Sequence, residues 1–195
     1  MIRLACVAIA ATLLAACASA PVRERAPAPW PERRAALQAD AAFSLSGRVA
    51  IRTGDTGLNA SLRWRQEGAV SHVTLDGPLG IGGAEVELRG DELALRTSHG
   101  DHLEGDAARA ELERRIGFPL PLAALRYWVR GVPEPGAGAD EVVDEAHQRL
   151  ASLVQDGWEI SYTEYAAGSA GILPRRLSAQ RGNTRVRVVI DRWTP

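Results

Sequence analysis

The chain has 195 residues, 23 basic and 24 acidic side chains, a formal net charge of −1 and two cysteines. This length suits one domain with a sizeable core. The balanced charge lacks the basic excess that is typical of nucleic-acid-binding proteins, so no nucleic-acid partner is expected. The cysteines are Cys6 and Cys17. Because both lie near the N-terminus, the rest of the chain predicts no disulfide and must gain its stability from its core.

The N-terminus has the pattern of a secretory signal peptide. Arg3 is followed by an apolar run from Leu4, and small residues precede Cys17. The segment Leu14-Ala15-Ala16-Cys17 is similar to a lipobox, which predicts removal of residues 1–16 and lipid attachment at Cys17. The alternatives are an ordinary signal peptide with a chance cysteine, or a short membrane helix. Residues 4–16 fall short of the roughly 20 residues that a membrane crossing takes.

The next segments predict a tether and the start of a folded domain. Residues 17–29 are rich in Ala and Pro and are expected to be an extended tether. Residues 30–195 are expected to form a single domain. A helix is predicted from Trp30 to about Asp40, with Pro31 in its first turn.

A period of two begins at Phe43 and predicts half-buried strands. Short spacing and tight turns favour an antiparallel meander. The predicted strands of this first half are 43–52, 58–65, 70–75, 84–89 and 92–97.

The middle of the chain predicts helices. Asp106 is expected to cap a helix over 107–116 that ends at Gly117. A second helix is expected over 122–130, and residues 134–144 are expected to be a loop rich in Gly and acids.

Strands return in the last third of the chain. Asp156-Gly157 and Gly182-Asn183 indicate hairpin turns. The predicted strands are 149–155, 158–165, 175–180 and 185–193. The predicted fold is therefore mainly β, a curved sheet or incomplete antiparallel β-barrel with a helical lid inserted mid-chain.

No set of residues predicts catalysis, and we expect a protein that is not an enzyme. His99 and His102 lie three residues apart, with few further ligands nearby, so a solvated loop is favoured and no metal site is expected. The segment around Ser169 lacks the first glycine of a nucleophile elbow and lies between two strands. No catalytic residue and no cofactor are predicted.

The predicted functional residues are apolar. Strand alternation and the placement of tryptophans predict the lining or lid of an apolar cavity, and the alternative is that these residues are simply core. They are Leu45, Val49, Ile51, Leu62, Trp64, Trp128 and Trp158.

A second apolar feature is Leu79, which lies between Pro78 and Gly80 in a glycine-rich segment. Such a segment predicts a surface loop. Leu79 is then an exposed tip that contacts lipid or a partner. The alternative is that it folds back into the core.

Several short motifs, in order, are similar to those of the LolB family of outer-membrane lipoprotein receptors. The block at 125–133 (LRYWVRGVP) is the most specific. The others are the lipobox, Trp30, Arg34, 46–48, 62–64, 77–80, 117–121, 157–158, Tyr162, Tyr165, 173–174 and 190–193.

The resemblance implies an incomplete β-barrel with an apolar cavity, covered by helices. It implies a protein anchored by lipid in the outer membrane and facing the periplasm, which accepts lipoproteins from the periplasmic carrier LolA and places them in the outer membrane. The expected partners are LolA, lipoprotein acyl chains and outer-membrane lipid, with Pro78, Leu79 and Gly80 as the membrane-insertion loop. We expect a monomer. A lipid-anchored carrier for another lipid, or an envelope hydrolase with a dispersed active site, remains as an alternative.

Overall fold

The computed structural model describes residues 27–40, 42–77, 83–168 and 171–194. Within them lie three helices and one sheet of eleven strands. The helices are α1 (Trp30–Ala39), α2 (Gly105–Ile116) and α3 (Leu122–Trp128). The strands are β1 (Ala42–Thr53), β2 (Thr56–Glu67), β3 (Val70–Asp76), β4 (Ala84–Arg89), β5 (Glu92–Thr97), β6 (His102–Glu104), β7 (Ala139–Asp144), β8 (Arg149–Gln155), β9 (Trp158–Gly168), β10 (Gly171–Arg181) and β11 (Thr184–Thr194).

The sheet consists of two antiparallel meanders joined at its centre. The strand order is β6-β5-β4-β3-β2-β1-β11-β10-β9-β8-β7, so the first strand pairs with the last. The two edges, β6 and β7, are not paired with each other in the described part of the chain. An open, antiparallel, mainly β fold was predicted, and the structure confirms it.

The helical insertion connects the two edges of the sheet. From β6 the chain runs through α2 and α3 before it enters β7. Ala108, Leu112 and Trp128 of these helices are buried in the same hydrophobic cluster as the strands. None of the three helices has the length and apolar character that a membrane crossing requires.

Strand alternation gives the sheet two different faces. In β1, for example, Leu45, Val49 and Ile51 are buried while Arg48 and Arg52 are exposed. We call the side that packs against the helices the concave face, and the opposite side the outer face. This pattern follows from the period of two along a strand, which places neighbouring side chains on opposite faces.

The turns lie at two ends of the sheet. We call one the loop end, because it holds Gly77, which follows β3, together with the turns at 54–55, 156–157 and 182–183. Asp156 and Gly157 both have positive φ, 51° and 73°, as the predicted hairpin turn requires. We call the other the tether end, because α1 begins there: the Trp30 backbone N–H donates to Gln148 in the turn between β7 and β8, at 2.6 Å.

The prediction of a loop over 134–144 is wrong at its second half, because Ala139–Asp144 form the edge strand β7. The alternation of apolar and polar residues that would predict this strand is absent from the sequence, because the charged Glu141 occupies an inward-facing position. Its carboxylate accepts a hydrogen bond from Trp30 Nε1 at 2.8 Å and pairs with Arg34 at 2.8 Å. A charged residue can therefore face inward here, since contacts from α1 satisfy it.

Three smaller boundaries also differ from the prediction. His102–Glu104 form the short strand β6 rather than part of a loop. Helix α2 begins at Gly105, with Glu104 and not Asp106 at the cap position. Helix α3 ends at Trp128, two residues early, whereas Gly117 ends α2 as predicted, with a φ of 85°.

Candidate functional site

The concave face is apolar along the whole width of the sheet. Its side chains form one hydrophobic cluster with residues of all three helices. The members that are at most 1 % exposed are Leu93, Leu95, Ala108, Trp128, Val132, Leu150, Leu153, Trp158, Ile160 and Leu173. Apolar area of this extent is the main favourable term in the folding of the chain.

The seven residues predicted to line a cavity are all buried in this cluster. Register places Leu45 opposite Trp64, and Leu62 opposite Gly47, on the concave face of β1 and β2. Trp128 and Trp158 lie together, with ring centroids 6.2 Å apart. The structure thus places six of the seven on the concave face and Trp128 against it from α3, and their tryptophans belong to two aromatic groups near opposite ends of the sheet. Their role in holding a ligand stays a prediction.

The first group is an aromatic cluster at the tether end. Phe43 lies between Trp64 and Trp193, with ring centroids 5.7 Å from each. The Trp64 indole N–H donates to the buried Gln66 side chain at 3.2 Å. The Arg130 guanidinium lies 5.6 Å from the Phe43 ring centroid. The cluster joins β1, β2 and β11, so it depends on the pairing of the two meanders.

The second group is an aromatic cluster at the loop end. Trp158 packs against Phe118 at 5.6 Å and against Trp128 at 6.2 Å. Trp128 Nε1 donates to Gln155 Oε1 at 2.8 Å. Trp158 Nε1 is buried and has no hydrogen-bond partner among the described residues. A buried donor without a partner lowers the stability of this packing of the helices on the sheet, because the donor has lost its hydrogen bond to water.

Gln155 fixes the segment that follows α3. Its Oε1 also accepts from the Glu134 backbone N–H at 2.9 Å, and its Nε2 donates to the Glu134 carbonyl at 3.0 Å. The side chain is 1 % exposed. One buried amide therefore ties both Trp128 and the exit of the helical cover to β8. Burial and the nearby Asp156 carboxylate together raise the pKa of Glu134.

Arg130 joins the two parts of the helical cover. Its guanidinium donates to the Leu37 carbonyl at 2.6 Å, to the Asp40 carbonyl and to the Asp40 carboxylate at 2.5 Å. The side chain is 3 % exposed. Burial lowers the pKa of Arg130, and the Asp40 carboxylate opposes that shift. The planar guanidinium thus donates hydrogen bonds to backbone carbonyls at the C-terminal end of α1, which have no partner within the helix.

Two tyrosines support the same region from β9. Tyr162 donates to the Trp128 carbonyl at 3.0 Å, and Tyr165 donates to the Leu150 carbonyl at 2.6 Å. Burial raises the pKa of both phenols, so both remain neutral donors at physiological pH. A Cβ at Gly131, which has a φ of 76°, would lie 3.1 Å from the Tyr165 hydroxyl. The motif at 125–133 therefore packs directly against β9.

Several predicted positions lie outside the described residues. They are Cys17, the loop residues Pro78, Leu79 and Gly80, and Ser169. The histidines do not converge: His102 bonds Glu104 and Arg96, while the His99 backbone N–H bonds Thr97. Across the described ranges, no three His, Cys, Asp or Glu side chains are placed to share a metal ion.

Sequence reasoning missed the polar residues that hold the cover. Arg130 and Gln155 carry no local sign of burial, because their partners lie 90 and 21 residues away. Phe43, Phe118 and Trp193 were also left out of the predicted cavity residues. For Phe43 a signal existed, since it continues the period of two on β1. Trp193 breaks that period, because a bulge after Ile190 shifts the alternation on β11.

The open antiparallel sheet under its helices is similar in fold to solved structures of low sequence identity. A LolA superfamily protein from Nitrosomonas europaea matches with a TM-score of 0.54 at 9 % identity, over 85 % of this chain and 91 % of that one. A DUF1329 family protein from Desulfovibrio piger matches with a TM-score of 0.51 at 8 % identity, over 85 % and 88 %. At this identity the likeness defines the fold.

The sequence comparisons define the family. The model described as outer membrane lipoprotein LolB matches residues 41–193. The outer-membrane lipoprotein LolB of Alkalilimnicola ehrlichii is 37 % identical over 193 residues, 98 % of this chain and 96 % of that protein. That of Azoarcus sp. is 35 % identical over 190 residues, 97 % and 93 %. The chain belongs to the LolB family.

Proposed function

We propose that this protein is an outer-membrane receptor that accepts lipoproteins from the periplasmic carrier LolA and inserts them into the outer membrane. The observation that carries the proposal is the concave face, which is apolar across eleven strands and covered by helices. Family membership adds the outer membrane and lipoproteins as the setting. No cofactor takes part in this function.

The chemistry of the cargo requires such a face. An acyl chain of roughly 15 methylenes costs about 12 kcal/mol to expose to water, at about 0.8 kcal/mol per methylene. A lipoprotein carries more than one such chain. Transfer from one apolar container to another leaves this term nearly unchanged, so a modest difference in affinity between carrier and receptor is enough to give direction.

Acyl chains must take the place of the helical cover on the concave face. The polar contacts that resist this include Arg130 to the end of α1, Gln155 to Trp128 and Glu134, and Tyr162 to the Trp128 carbonyl. The unpartnered Trp158 indole N–H favours opening, because it can bond to water or to a ligand carbonyl once the cover moves. The cover is therefore held by these polar contacts together with the buried apolar residues of its helices, for which acyl chains can substitute.

Attachment and delivery are assigned to segments that lie mostly outside the described residues. Cys17 carries the lipid, and residues 17–29 are the tether. Leu79, between Pro78 and Gly80, is the apolar tip of a loop at the loop end that enters the membrane surface during delivery. The seven predicted residues on the concave face and on α3 contact the acyl chains.

Site-specific photocrosslinking tests the concave face directly. A benzophenone amino acid is placed at Trp64, on the concave face, or at the adjacent Arg65, on the outer face. Each variant is mixed with lipoprotein-loaded LolA and irradiated. We expect the lipoprotein to crosslink at position 64 and not at position 65, because acyl chains enter only the apolar side. Crosslinking at 65 alone, or equally at both, would contradict the proposal.

Mass spectrometry tests the anchor. The mature N-terminus should be an acylated Cys17 in the outer-membrane fraction, and Cys17→Ala should abolish the modification. A mature N-terminus elsewhere without lipid would disprove the anchor but leave the concave-face proposal intact.

Leu79→Glu tests delivery. A lone carboxylate resists burial in an apolar medium, so the variant should accept lipoprotein from LolA but fail to insert it into vesicles. Leu79→Ala is the milder control. A loss of stability of about 2–5 kcal/mol on truncation to Ala would indicate a core residue instead. Normal insertion by the Glu variant would end the assignment.

A further inference from the structure

The charge of the sheet is divided between its centre and its flanks. The four central strands β2, β1, β11 and β10 carry ten arginines and two acidic residues. The seven flanking strands carry three arginines and ten acidic residues. The formal net charge of −1 hides this division. All ten central arginines are exposed: Arg48, Arg52, Arg63, Arg65, Arg175, Arg176, Arg181, Arg185, Arg187 and Arg192.

Strand register gathers part of this charge on the outer face, toward the loop end. Arg52 on β1 lies directly opposite Arg185 on β11, and Arg187 lies opposite Ala50. Arg52, Arg185 and Arg187 form no ion pair with any described residue. Like charges directly across a pair of strands destabilise a sheet. Folding alone therefore does not account for this arrangement.

A groove of about 550 Å³ lies beside these arginines. The Asp76 carboxylate lines it and pairs with Arg63 at 2.9 Å. Arg48 and Arg187 line it as well, Asn59 and Ser61 add an amide and a hydroxyl, and Ala50 lies between Asn59 and Arg187. These are donors suited to phosphate oxygens, with small residues that leave room for a headgroup. The groove extends to Gly77, the last described residue before the loop that contains Leu79.

We propose that the outer face of β2, β1, β11 and β10, which we call the basic face, docks on the anionic phospholipid surface of the membrane to which the protein is anchored. The proposal rests on the proposed anchor at Cys17, because the anchor keeps the domain near that surface and makes docking an intramolecular event. The basic face thus selects a lipid surface by its charge, and it determines how the receptor is oriented on the membrane.

The positions of the two ends of the sheet support this orientation. The chain enters α1 at the tether end, whereas Gly77 is at the loop end. Strand β1 has 12 residues and spans about 40 Å between them. If only the tether end touched the membrane, with the strands perpendicular to it, Gly77 and the proposed membrane-insertion loop that follows it would be held far from the lipid. A domain lying on its basic face brings both ends to the surface at once.

The expected strength follows from charge. A basic residue near an anionic leaflet increases membrane affinity about fivefold, so three arginines without ion pairs shift the docked population about 100-fold. Exposed charges are screened within about 10 Å at 0.1 M salt. Docking should therefore require anionic lipid and weaken strongly with salt.

Fluorescence quenching in vesicles tests the orientation. The full chain, with acylated Cys17, is reconstituted with Ala50→Cys labelled on the basic face or with Ala94→Cys labelled on the outer face of β5. Both alanines are half-buried, and Ala94 lies among the acidic flank residues. Quencher-labelled headgroups are added to vesicles of phosphatidylcholine, alone or with about one third phosphatidylglycerol. Flotation reports anchoring separately.

We expect quenching at position 50 only with phosphatidylglycerol, and its loss when salt rises from about 0.05 to about 0.5 M. Replacement of Arg52, Arg185 and Arg187 by Gln should abolish it, whereas replacement of Arg89, Arg96 and Arg109 by Gln should not. Equal quenching at 50 and 94, or no dependence on phosphatidylglycerol, would overturn the proposal. Protection of position 50 by LolA and not by vesicles would also overturn it, in favour of a protein-docking face.

Flotation also distinguishes failure of the proposed anchor at Cys17 from failure of the proposed basic face. An unanchored chain would not float with pure phosphatidylcholine vesicles. Flotation of that chain with anionic vesicles that is lost at high salt would still support the basic face, and no flotation under either condition would overturn it.

Discussion

The concave and outer faces of the same strands differ in nearly every physical respect. Leu153 on β8 is fully buried, while the adjacent Val154 is 41 % exposed. The concave face contains aromatic clusters and few charged groups, and its inward-facing Glu141 is contacted by Trp30 and Arg34 of α1. The outer face carries exposed charge, with arginines at its centre and acids at its flanks. Because neighbouring side chains on a strand face opposite sides, residues that stabilise the core and would bind cargo lie on one face. The residues proposed to orient the domain on a membrane lie on the other.

This separation suits a receptor for lipidated cargo. A ligand that enters the concave face replaces one set of apolar contacts with another and leaves the outer face unchanged. Conversely, the charges that would orient the domain on a membrane do not enter its core. Substitutions on the two faces should therefore have separable consequences. Three measurements test how completely they separate, and a fourth tests an ion pair on the helical cover.

Neighbouring truncations on β8 should give the largest contrast. Leu153→Ala removes a fully buried side chain and should lower the free energy of unfolding by about 2–5 kcal/mol. Val154→Ala, on the outer face, should change it by no more than about 0.5 kcal/mol. Urea denaturation of both variants measures the difference. Similar losses would show that the outer face of β8 also contributes to the core.

Loss of the buried guanidinium at position 130 should have the next largest effect. Arg130→Ala leaves the Leu37 and Asp40 carbonyls without their donor and should cost about 2–3 kcal/mol. Arg130→Lys should recover only part of the lost stability, because an ammonium group cannot donate to several acceptors in one plane as a guanidinium does. Arg185→Ala on the outer face is the matched control and should be nearly neutral. A stable Arg130→Ala protein would mean that the other contacts of α1, such as those of Trp30 and Arg34 with Glu141, are enough to hold it.

Charge removal on the basic face should act in the opposite direction. Arg52→Gln relieves repulsion with Arg185 and should stabilise the protein by about 0.2–0.5 kcal/mol at low salt. The gain should disappear at high salt, because exposed charges are screened. Arg96→Gln, in the acidic flank, should give no gain. Thermal unfolding at two salt concentrations measures both, and equal behaviour of the two variants would refute local repulsion.

The smallest effect is expected from an ion pair on the surface of α2. Hydrogen bonds from Arg114 and Arg115 lower the pKa of Glu111 to about 2. Because the folded-state pKa lies below the unfolded value, the pair stabilises the protein above about pH 4.3 and ceases to do so as the pH falls toward 2. NMR titration of the Glu111 carboxyl measures the pKa. Joint replacement of Arg114 and Arg115 by Gln should return it toward its usual value, and no change would exclude them as the cause.

Local patterns in the sequence determined most of the elements and their limits. The period of two placed the ends of β1 and β2 to within two residues. Asp156-Gly157 marked a hairpin, and Gly117 marked the end of α2, because a positive φ is a local requirement that few residue types meet. The strand β7 was missed because its inward Glu141 is satisfied by Trp30 and Arg34, more than a hundred residues away.

The sequence by itself thus determined that this chain is an antiparallel, mainly β protein with a central helical insertion and, through its motifs, a member of the LolB family. Only the tertiary structure decided what the central pairing brings together. When β1 pairs with β11, Phe43 meets Trp193, and Arg52 meets Arg185. The physical reason is range: periodicity and turn chemistry act over a few residues, whereas strand pairing joins segments more than a hundred residues apart, where single-sequence patterns carry no information.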